Sequence, residues 1–241
     1  ITNGFLVGSA TGGRYDPNRE DWMGILIGGD NDDDVAQNMK VDHLGIRNVW
    51  GDFIYLASQT SRGKLLKDVT IEDNTMANAG RQGIVIHGGN KLLIQRNNFT
   101  NVKRYLFDSE PAAIHGWRDV TITANTGESG NLGYFQFAGH KTSVASGLSI
   151  TNNTIVKGHL VMAIGNGSDS LRAGATVTGN RSLDPTEFRR NNLHRSLITV
   201  SRWSSVNISN NSNRVVANSQ PFALNTERSN ATVGVNNWSG R

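Results

Sequence analysis

The sequence predicts an all-β protein, a single-stranded right-handed parallel β-helix of about eight coils. Three observations support this fold class. Of the 241 residues, 28 are Asn and 27 are Gly, and both residue types are poor in helix interiors and common in turns. Apolar residues recur two positions apart in short segments, which is typical of strands with one buried face. These segments return every 23–31 residues, a period typical of a solenoid.

Each repeat contains an apolar–x–apolar–x–x–Asn motif, such as VTIEDN at 69–74 and VTITAN at 120–125. The motifs end at Asn74, Asn97, Asn125, Asn153, Asn180 and Asn211. A second strand-like segment follows nine or ten residues later, centred on Ile84, Phe107, Phe135 and Met162. We expect these two strands to be separated by an Asn turn in each coil, with a third strand near that turn or in the return.

Asn suits the corner of such a coil for two reasons. Its backbone tolerates the left-handed conformation that a sharp turn requires. Its amide can donate a hydrogen bond to the coil on one side and accept one from the coil on the other. Asn side chains stacked at the ~4.8 Å spacing of neighbouring strands would therefore form a ladder, and we interpret their role as structural.

The whole chain, 1–241, is predicted to form one domain, with an irregular segment at 1–21 and a loop insertion at 183–195. Other repeat folds fit less well. A leucine-rich repeat would have shorter units, and a propeller would need four strands in about 40–45 residues. A β-sandwich would show no fixed period.

Composition excludes several classes of protein. Cys is absent, which excludes disulfides, thiol catalysis and Cys-ligated metals. No apolar run approaches the ~18 residues of a membrane span. The excess of 24 Lys and Arg over 20 Asp and Glu is small, and no basic block accompanies it. We therefore expect neither a nucleic acid nor a membrane as a partner.

The repeat motifs resemble those of the pectate-lyase-like superfamily of right-handed β-helices, over roughly 22–240. The segments VWGDFIYL, GRQGIVI and RYLFDSEP are similar to repeats of β-helix proteins from bacterial secreted and phage-tail contexts. The resemblance implies a secreted, extracellular location or one in a phage virion. It also implies a function among polysaccharide lyases, glycoside hydrolases, epimerases and depolymerising tailspikes.

Strand alternation predicts which side chains of the second strand face outward. One outward column would contain Leu26, Tyr55, Val85, Asp108, Gln136 and Ala163, and the next would contain Gly28, Ala57, His87, Glu110, Ala138 and Gly165. Asp108 and Glu110 are two positions apart, so their carboxyl groups would lie roughly 6–7 Å apart. That separation favours an inverting glycosidase, which needs ~6.5–9.5 Å. We predict Asp108 and Glu110 as an acid/base pair assisted by His87.

Other residues near these columns are predicted to bind substrate. They are Tyr55, Arg81, Arg104, Gln136, Tyr134, Trp117 and His115. Longer returns on both sides of His87 would form walls, and aromatic rings with Arg suit a sugar. The alternative interpretation is a salt-bridged surface ladder in which Arg81 and Arg104 balance the carboxylates.

No metal site is predicted. The acidic run with Asp30, Asp32, Asp33 and Asp34 offers the oxygens that Ca²⁺ prefers, but it lacks the EF-hand pattern and a solvated turn is expected. The segment from Tyr15 to Glu20 weakly resembles the Asp-Pro-His-Glu motif of alginate epimerases. Asn18 replaces the His, although Glu20 and Asp21 could still extend the groove.

The leading functional hypothesis is an endo-acting glycoside hydrolase that cleaves a polysaccharide without a cofactor. A second hypothesis is a polysaccharide lyase or C5-epimerase on a uronate polymer, with His87 or Tyr55 as the base, Arg81 neutralising the uronate, and Ca²⁺ as an optional cofactor. A third is a non-catalytic glycan-binding tailspike or adhesin. The first two are compatible with a monomer, and a tailspike would favour a homotrimer.

Overall fold

The computed structural model describes residues 1–10, 14–28, 36–57, 65–111, 116–128, 132–140, 142–158, 160–165, 172–183, 197–213, 223–226 and 229–238. Within these ranges the chain forms β-strands, one 3-10 helix at Pro17–Arg19 and no α-helix. The strands, in chain order, are β1 (Thr2–Val7), β2 (Ile25–Ile27), β3 (Gln37–Val49), β4 (Ile54–Leu56), β5 (Lys67–Glu72), β6 (Thr75–Ala79), β7 (Ile84–Ile86), β8 (Gly89–Gln95), β9 (Asn98–Val102), β10 (Tyr105–Ser109), β11 (Gly116–Thr123), β12 (Thr126–Glu128), β13 (Gly133–Phe137), β14 (Val144–Thr151), β15 (Thr154–Lys157), β16 (Met162–Ile164), β17 (Arg172–Thr178), β18 (Arg181–Ser182), β19 (Ile198–Ser201), β20 (Trp203–Ser209), β21 (Ser212–Asn213), β22 (Ala223–Thr226), β23 (Ala231–Val233) and β24 (Asn237–Trp238).

The strands stack in parallel and give the coil three faces. The first face contains the strands that precede each Asn turn, and its order is β5, β8, β11, β14, β17, β20 and β23. The second face contains the strands that follow the turn, β6, β9, β12, β15, β18, β21 and β24. The third face is a separate sheet of β2, β4, β7, β10, β13, β16, β19 and β22. The predicted parallel β-helix is therefore confirmed, and the expected third strand lies directly after the Asn turn.

The long strand β3 joins the first two faces. Its beginning pairs with β5 and its end pairs with β6. Strand β1 pairs with β3 on the other side, so part of the segment 1–21 is regular and the expectation of an irregular segment there is wrong. Most of the predicted insertion at 183–195 lies outside the described residues.

Matching apolar residues in successive coils fill the interior. On the first face, Ile71 lies opposite Ile94, Ile94 opposite Ile122, and the same column continues through Ile150, Val177 and Ile208. On the third face a column runs through Ile54, Ile84, Phe107, Phe135, Met162 and Ile198. All of these side chains are fully buried. The interior is thus a packed core, and it leaves function to the outer surfaces and loops.

The predicted Asn ladder is confirmed. Each side-chain amide donates to the side-chain oxygen of the next ladder residue at 2.8–3.1 Å. The same oxygen also accepts the backbone N–H of the preceding ladder residue. Asn236 is a further member that the motif search missed, since it accepts from Asn211 at 2.9 Å.

The backbone reason predicted for these asparagines is wrong. The left-handed residue at each corner is the one before the ladder Asn: Asp73, Arg96, Ala124, Asn152, Gly179 and Asn210. The ladder Asn is selected instead by its buried amide, which satisfies donors and acceptors in both neighbouring coils. A shorter ladder runs along the second face. Its members are the left-handed residues Asn48, Asn78 and Asn101, whose side chains bond to one another in order.

Candidate functional site

The candidate site lies on the outer side of the third face, around strands β4, β7 and β10. Tyr55 lies opposite Val85, Val85 opposite Asp108, and Asp108 opposite Gln136. This is the column that alternation predicts. The surface differs from the predicted open trough because Asp108 is only 1% exposed.

The carboxyl group of Asp108 accepts a short hydrogen bond from one side chain. Its Oδ2 accepts a hydrogen bond from the side-chain amide of Gln82 at 2.6 Å. The backbone N–H of Tyr105 donates to the oxygen of the same amide at 2.7 Å, which fixes the orientation of Gln82. Oδ1 of Asp108 is buried and has no hydrogen-bond partner among the described residues. Burial, with the charge of Glu110, raises the pKa of Asp108 well above its usual range.

Arg81 is the centre of a cluster of carboxylates. Its Nη1 donates to Asp52 at 2.9 Å and its Nη2 to Glu110 at 3.1 Å, and Nε lies 3.7 Å from Glu20. Burial lowers the pKa of Arg81, but the charges of these three carboxylates outweigh it and the net change is upward. Arg81 therefore stays charged and holds three acidic groups that come from three different coils.

Asp52 is the most buried member of this cluster. Its side chain is fully buried and also accepts the backbone N–H of Gln82 at 2.9 Å. Burial raises the pKa of Asp52 to about 6, although the Arg81 charge acts in the opposite direction. Gln82 thus connects the two buried acids, Asp52 through its backbone and Asp108 through its side chain.

Tyr55 and His87 lie on the neighbouring rungs. Their ring centres are 5.7 Å apart, and the His87 backbone donates to Leu56 at 2.9 Å. Burial, with the charges of Glu110 and Asp52, raises the pKa of Tyr55 to about 12. Glu110 has the most exposed carboxyl group in the cluster, with 37% of its side chain accessible.

A segment from the N-terminal region closes one side of the cluster. Glu20 lies 3.8 Å from Arg104, and the Tyr15 hydroxyl donates to Glu20. The Arg104 guanidinium carbon lies 5.3 Å from the centre of the Tyr15 ring. The predicted binding residue Arg104 therefore lies beside the cluster, and Glu20 lies near both Arg81 and Arg104.

Two predicted substrate-binding residues are in the core instead. Tyr134 is fully buried, with its ring centre 5.2 Å from that of Phe107. Trp117 is also buried, and its Nε1 donates to Ser109 at 2.7 Å inside the coil. Neither side chain can contact a bound sugar without leaving the core. His115 lies outside the described residues, and Gln136 is half-buried on the predicted column.

Alternation wrongly predicted that Tyr134 faces outward, and Trp117 was wrongly expected in a loop wall beside the groove; both errors have identifiable reasons. Strands of the third face are as short as three residues, and the residue just before the inward-facing position fills the corner of the coil. Phe53, Leu106 and Tyr134 occupy this position, and all three belong to the core. On the first face, left-handed Asp119 lies between Trp117 and Val120, so both side chains point inward although they are three positions apart.

Sequence reasoning missed Asp52 and Gln82. A signal for them was present. Asp52 precedes Ile54 by two residues, and Gln82 precedes Ile84 by the same distance. Polar residues at matching positions of two aligned repeats are neighbours in adjacent coils.

Of two other features, a metal site and a membrane-spanning helix, neither is present among the described residues. No group of three His, Asp or Glu side chains among them is arranged to hold a metal ion. The acidic residues Asp30 and Asp32–Asp34, which the sequence analysis considered for Ca²⁺, lie outside the described ranges. The described part of the chain also contains no helix with the length and apolar character to cross a bilayer.

Comparison with protein families agrees with this architecture. Residues 24–239 match the model of the right handed beta helix region, and the chain belongs to this family. Members of the family include polysaccharide-degrading enzymes and also proteins without catalytic activity. A search of curated proteins and a search of solved structures found no match.

The arrangement has a defined chemical capacity. A buried carboxyl group with a raised pKa holds its proton to a higher pH than an exposed one and can act as an acid. A neighbouring exposed carboxylate can accept a proton from water. Asp108, near the end of β10, is the buried group, and Glu110, just after β10, is the exposed one. Arg81 holds Glu110 in place.

Proposed function

We propose that the protein is an extracellular carbohydrate-active enzyme that hydrolyses glycosidic bonds within a polysaccharide. The observation that carries the proposal is the contrast between buried Asp108 and exposed, Arg81-paired Glu110 on the third face. The β-helix fold, which is often carbohydrate-active, supports the substrate class. A secreted or virion location belongs to the same proposal.

In this mechanism Asp108 is the acid and Glu110 is the base. Asp108 gives its proton to the glycosidic oxygen as the bond from that oxygen to the anomeric carbon breaks. Glu110 takes a proton from the water whose oxygen joins the anomeric carbon. Because Asp108 is buried, the polymer has to displace the side chains above it, and Glu110 is the group it meets first.

The position of Arg81 favours hydrolysis over elimination. A lyase needs a free cation to neutralise a uronate carboxylate, but both terminal nitrogens of Arg81 are bound to Asp52 and Glu110. A tyrosine with a pKa of about 12, such as Tyr55, is also a poor base near neutral pH. The lyase and epimerase remain the alternative outcome of the test below.

The test uses Asp108→Asn and Glu110→Gln with a panel of uronate and neutral polysaccharides. Each substitution should lower the rate of reducing-end formation at least about a hundredfold. With the wild type, each bond cleaved should add the mass of one water to the combined products. The matched control is Glu72→Gln, because Glu72 is an ion-paired carboxylate on the first face and should leave the rate unchanged.

Other results would assign a different function. Absorbance near 235 nm without water gain would indicate a lyase. Full activity in both variants would exclude this pair as the catalytic groups. Binding without any change in the polymer would identify a glycan-binding module.

A further inference from the structure

Two exposed aromatic rings lie on the segment that borders the carboxylate cluster. Trp22 is 54% exposed and Tyr15 is 38% exposed, so part of each ring is accessible from solvent. Each ring is accompanied by a guanidinium group. The Arg19 guanidinium carbon is 5.1 Å from the Trp22 ring centre and 4.2 Å from that of Trp50, and Arg104 lies over Tyr15.

The segment packs closely against the backbone of the coil. A Cβ at Gly51 would lie 2.2 Å from the carbonyl oxygen of Glu20 and 3.0 Å from that of Trp22. A Cβ at Gly80 would lie 2.8 Å from the carbonyl oxygen of Arg14. The two glycines thus let the segment sit directly on the corner of the coil.

Local hydrogen bonds stabilise the same segment. Asp16 caps the 3-10 helix by accepting the Asn18 backbone N–H at 3.0 Å, and the Gly51 N–H donates to the Trp22 carbonyl at 2.9 Å. The rings are therefore presented on a fixed backbone, which lowers the entropy lost when they bind a ligand.

The segment is connected directly to the carboxylate cluster. Glu20, between the two aromatic residues in sequence, lies 3.7 Å from Arg81 and bonds the Tyr15 hydroxyl. A polymer that meets Glu110 on the third face can therefore continue onto these rings. Planar rings with polar neighbours match the alternating C–H and hydroxyl faces of pyranose units.

We infer that Trp22 and Tyr15 form a substrate subsite that stacks pyranose rings of the polysaccharide beside the carboxylate cluster. The inference deepens the proposed function and rests on it for the identity of the ligand. We call this pair the aromatic platform. Its role is to bind and position the polymer, and none of its residues is assigned a part in bond cleavage.

The test measures retardation of the protein in native gels that contain polygalacturonate, alginate, xylan or galactomannan. It compares the wild type with Trp22→Ala, Trp22→Phe and Phe5→Ala. Phe5 is a matched control, because it is an aromatic residue with 89% exposure on β1, opposite Gly45. The double variant Asp108→Asn/Glu110→Gln separates binding from cleavage.

At least one polymer should retard the wild type, and it should still retard the double variant, which cannot cleave it. Trp22→Ala should weaken binding of that polymer about tenfold, Trp22→Phe should restore most of it, and Phe5→Ala should bind like the wild type. The platform is overturned if Trp22→Ala binds as the wild type does, or if no polymer retards the wild type. Trp22-dependent binding without any cleavage would retain the platform and reject the hydrolase.

Discussion

At the residue scale, Gln82 determines the environment of Asp108. Its amide N–H donates to Oδ2 of Asp108 at 2.6 Å, and a donor to a carboxylate favours the charged form. Gln82→Leu removes that donor and should raise the pKa of Asp108 further. The measurement is a carboxyl ¹³C NMR titration of Asp108.

A matched control is available for this substitution. Gln95 also donates to a carboxylate, Glu72, at 2.6 Å on the first face. Gln95→Leu should leave the Asp108 titration unchanged. A lower pKa of Asp108 in Gln82→Leu would contradict the assignment of this amide as a donor.

The buried carboxyl of Asp52 makes stability depend on pH. Its pKa is raised to about 6 by burial, so the folded chain binds this proton more tightly than the unfolded chain. The stabilisation is complete below about pH 4 and is lost as pH rises through about 6. Relative to Asp52→Asn, the wild type should lose free energy of unfolding on the order of 2 kcal/mol between these pH values.

Urea unfolding of both proteins at intervals from pH 4 to pH 7 measures this difference. Glu72→Gln is a suitable comparison, because the pKa of Glu72 is lowered to about 2 and its pH dependence has the opposite sign, with stabilisation lost only as pH falls below about 5. A constant difference between the wild type and Asp52→Asn across the window would show that Asp52 is ionised throughout it.

At the element scale, the Asn turn is the structural unit of the coil. Asn97 accepts the backbone and side-chain N–H groups of Asn74 and donates to Ile71, Gln95 and Asn125. Asn97→Ala leaves several of these groups buried without partners. The free energy of unfolding should fall by about 3–5 kcal/mol.

The adjacent Asn98 provides the control, because it has the same chemistry on the exposed side of β9. Asn98→Ala should change stability by less than about 0.5 kcal/mol. Equal losses in the two variants, measured by urea unfolding, would show that the ladder contributes no more than an exposed asparagine does.

The same elements show how far a sequence can predict a fold of this kind. The six motif asparagines and the alternating apolar pairs gave the coil period and the outward column with Tyr55, Asp108 and Gln136, because one periodicity controls both. The inward direction of corner residues such as Tyr134 was not predicted. The alternation of a strand ends at the corner, and the turn of the backbone there sets the direction of the side chain. The burial of Asp108 was not predicted either, because it depends on side chains from other coils.

The contribution of neighbouring coils also explains the cluster itself. Arg81 joins acids from separate coils, Asp52 on one side and Glu110 on the other, and no local sequence motif contains all three. Repeat alignment can reveal Asp52 and Gln82, whereas the contact with Glu20 required the fold. A solenoid assembles its sites from residues 23–31 positions apart, so register is more informative than motif.

At the scale of the whole molecule, each coil contacts mainly its neighbours, and stability should follow position along the axis. Strand β11 pairs on both sides, with β8 and β14. Among the described strands β1 pairs with β3 alone and β23 with β20 alone, and both strands carry exposed apolar side chains, such as Phe5 and Val233. The candidate site lies on β4, β7 and β10, each paired on both sides.

Native-state hydrogen exchange tests this gradient. Backbone amides of β8, β11 and β14 should exchange slowest, those of β7 and β10 nearly as slowly, and those of β1 and β23 fastest, because opening an end strand breaks one interface and opening a central strand breaks two. Asn97→Ala should increase exchange most in its own coil and in the coils beside it. Uniform exchange from β1 to β23 would instead show that the solenoid opens only as a single cooperative unit, so that the rigidity of the site would not depend on its position within the stack.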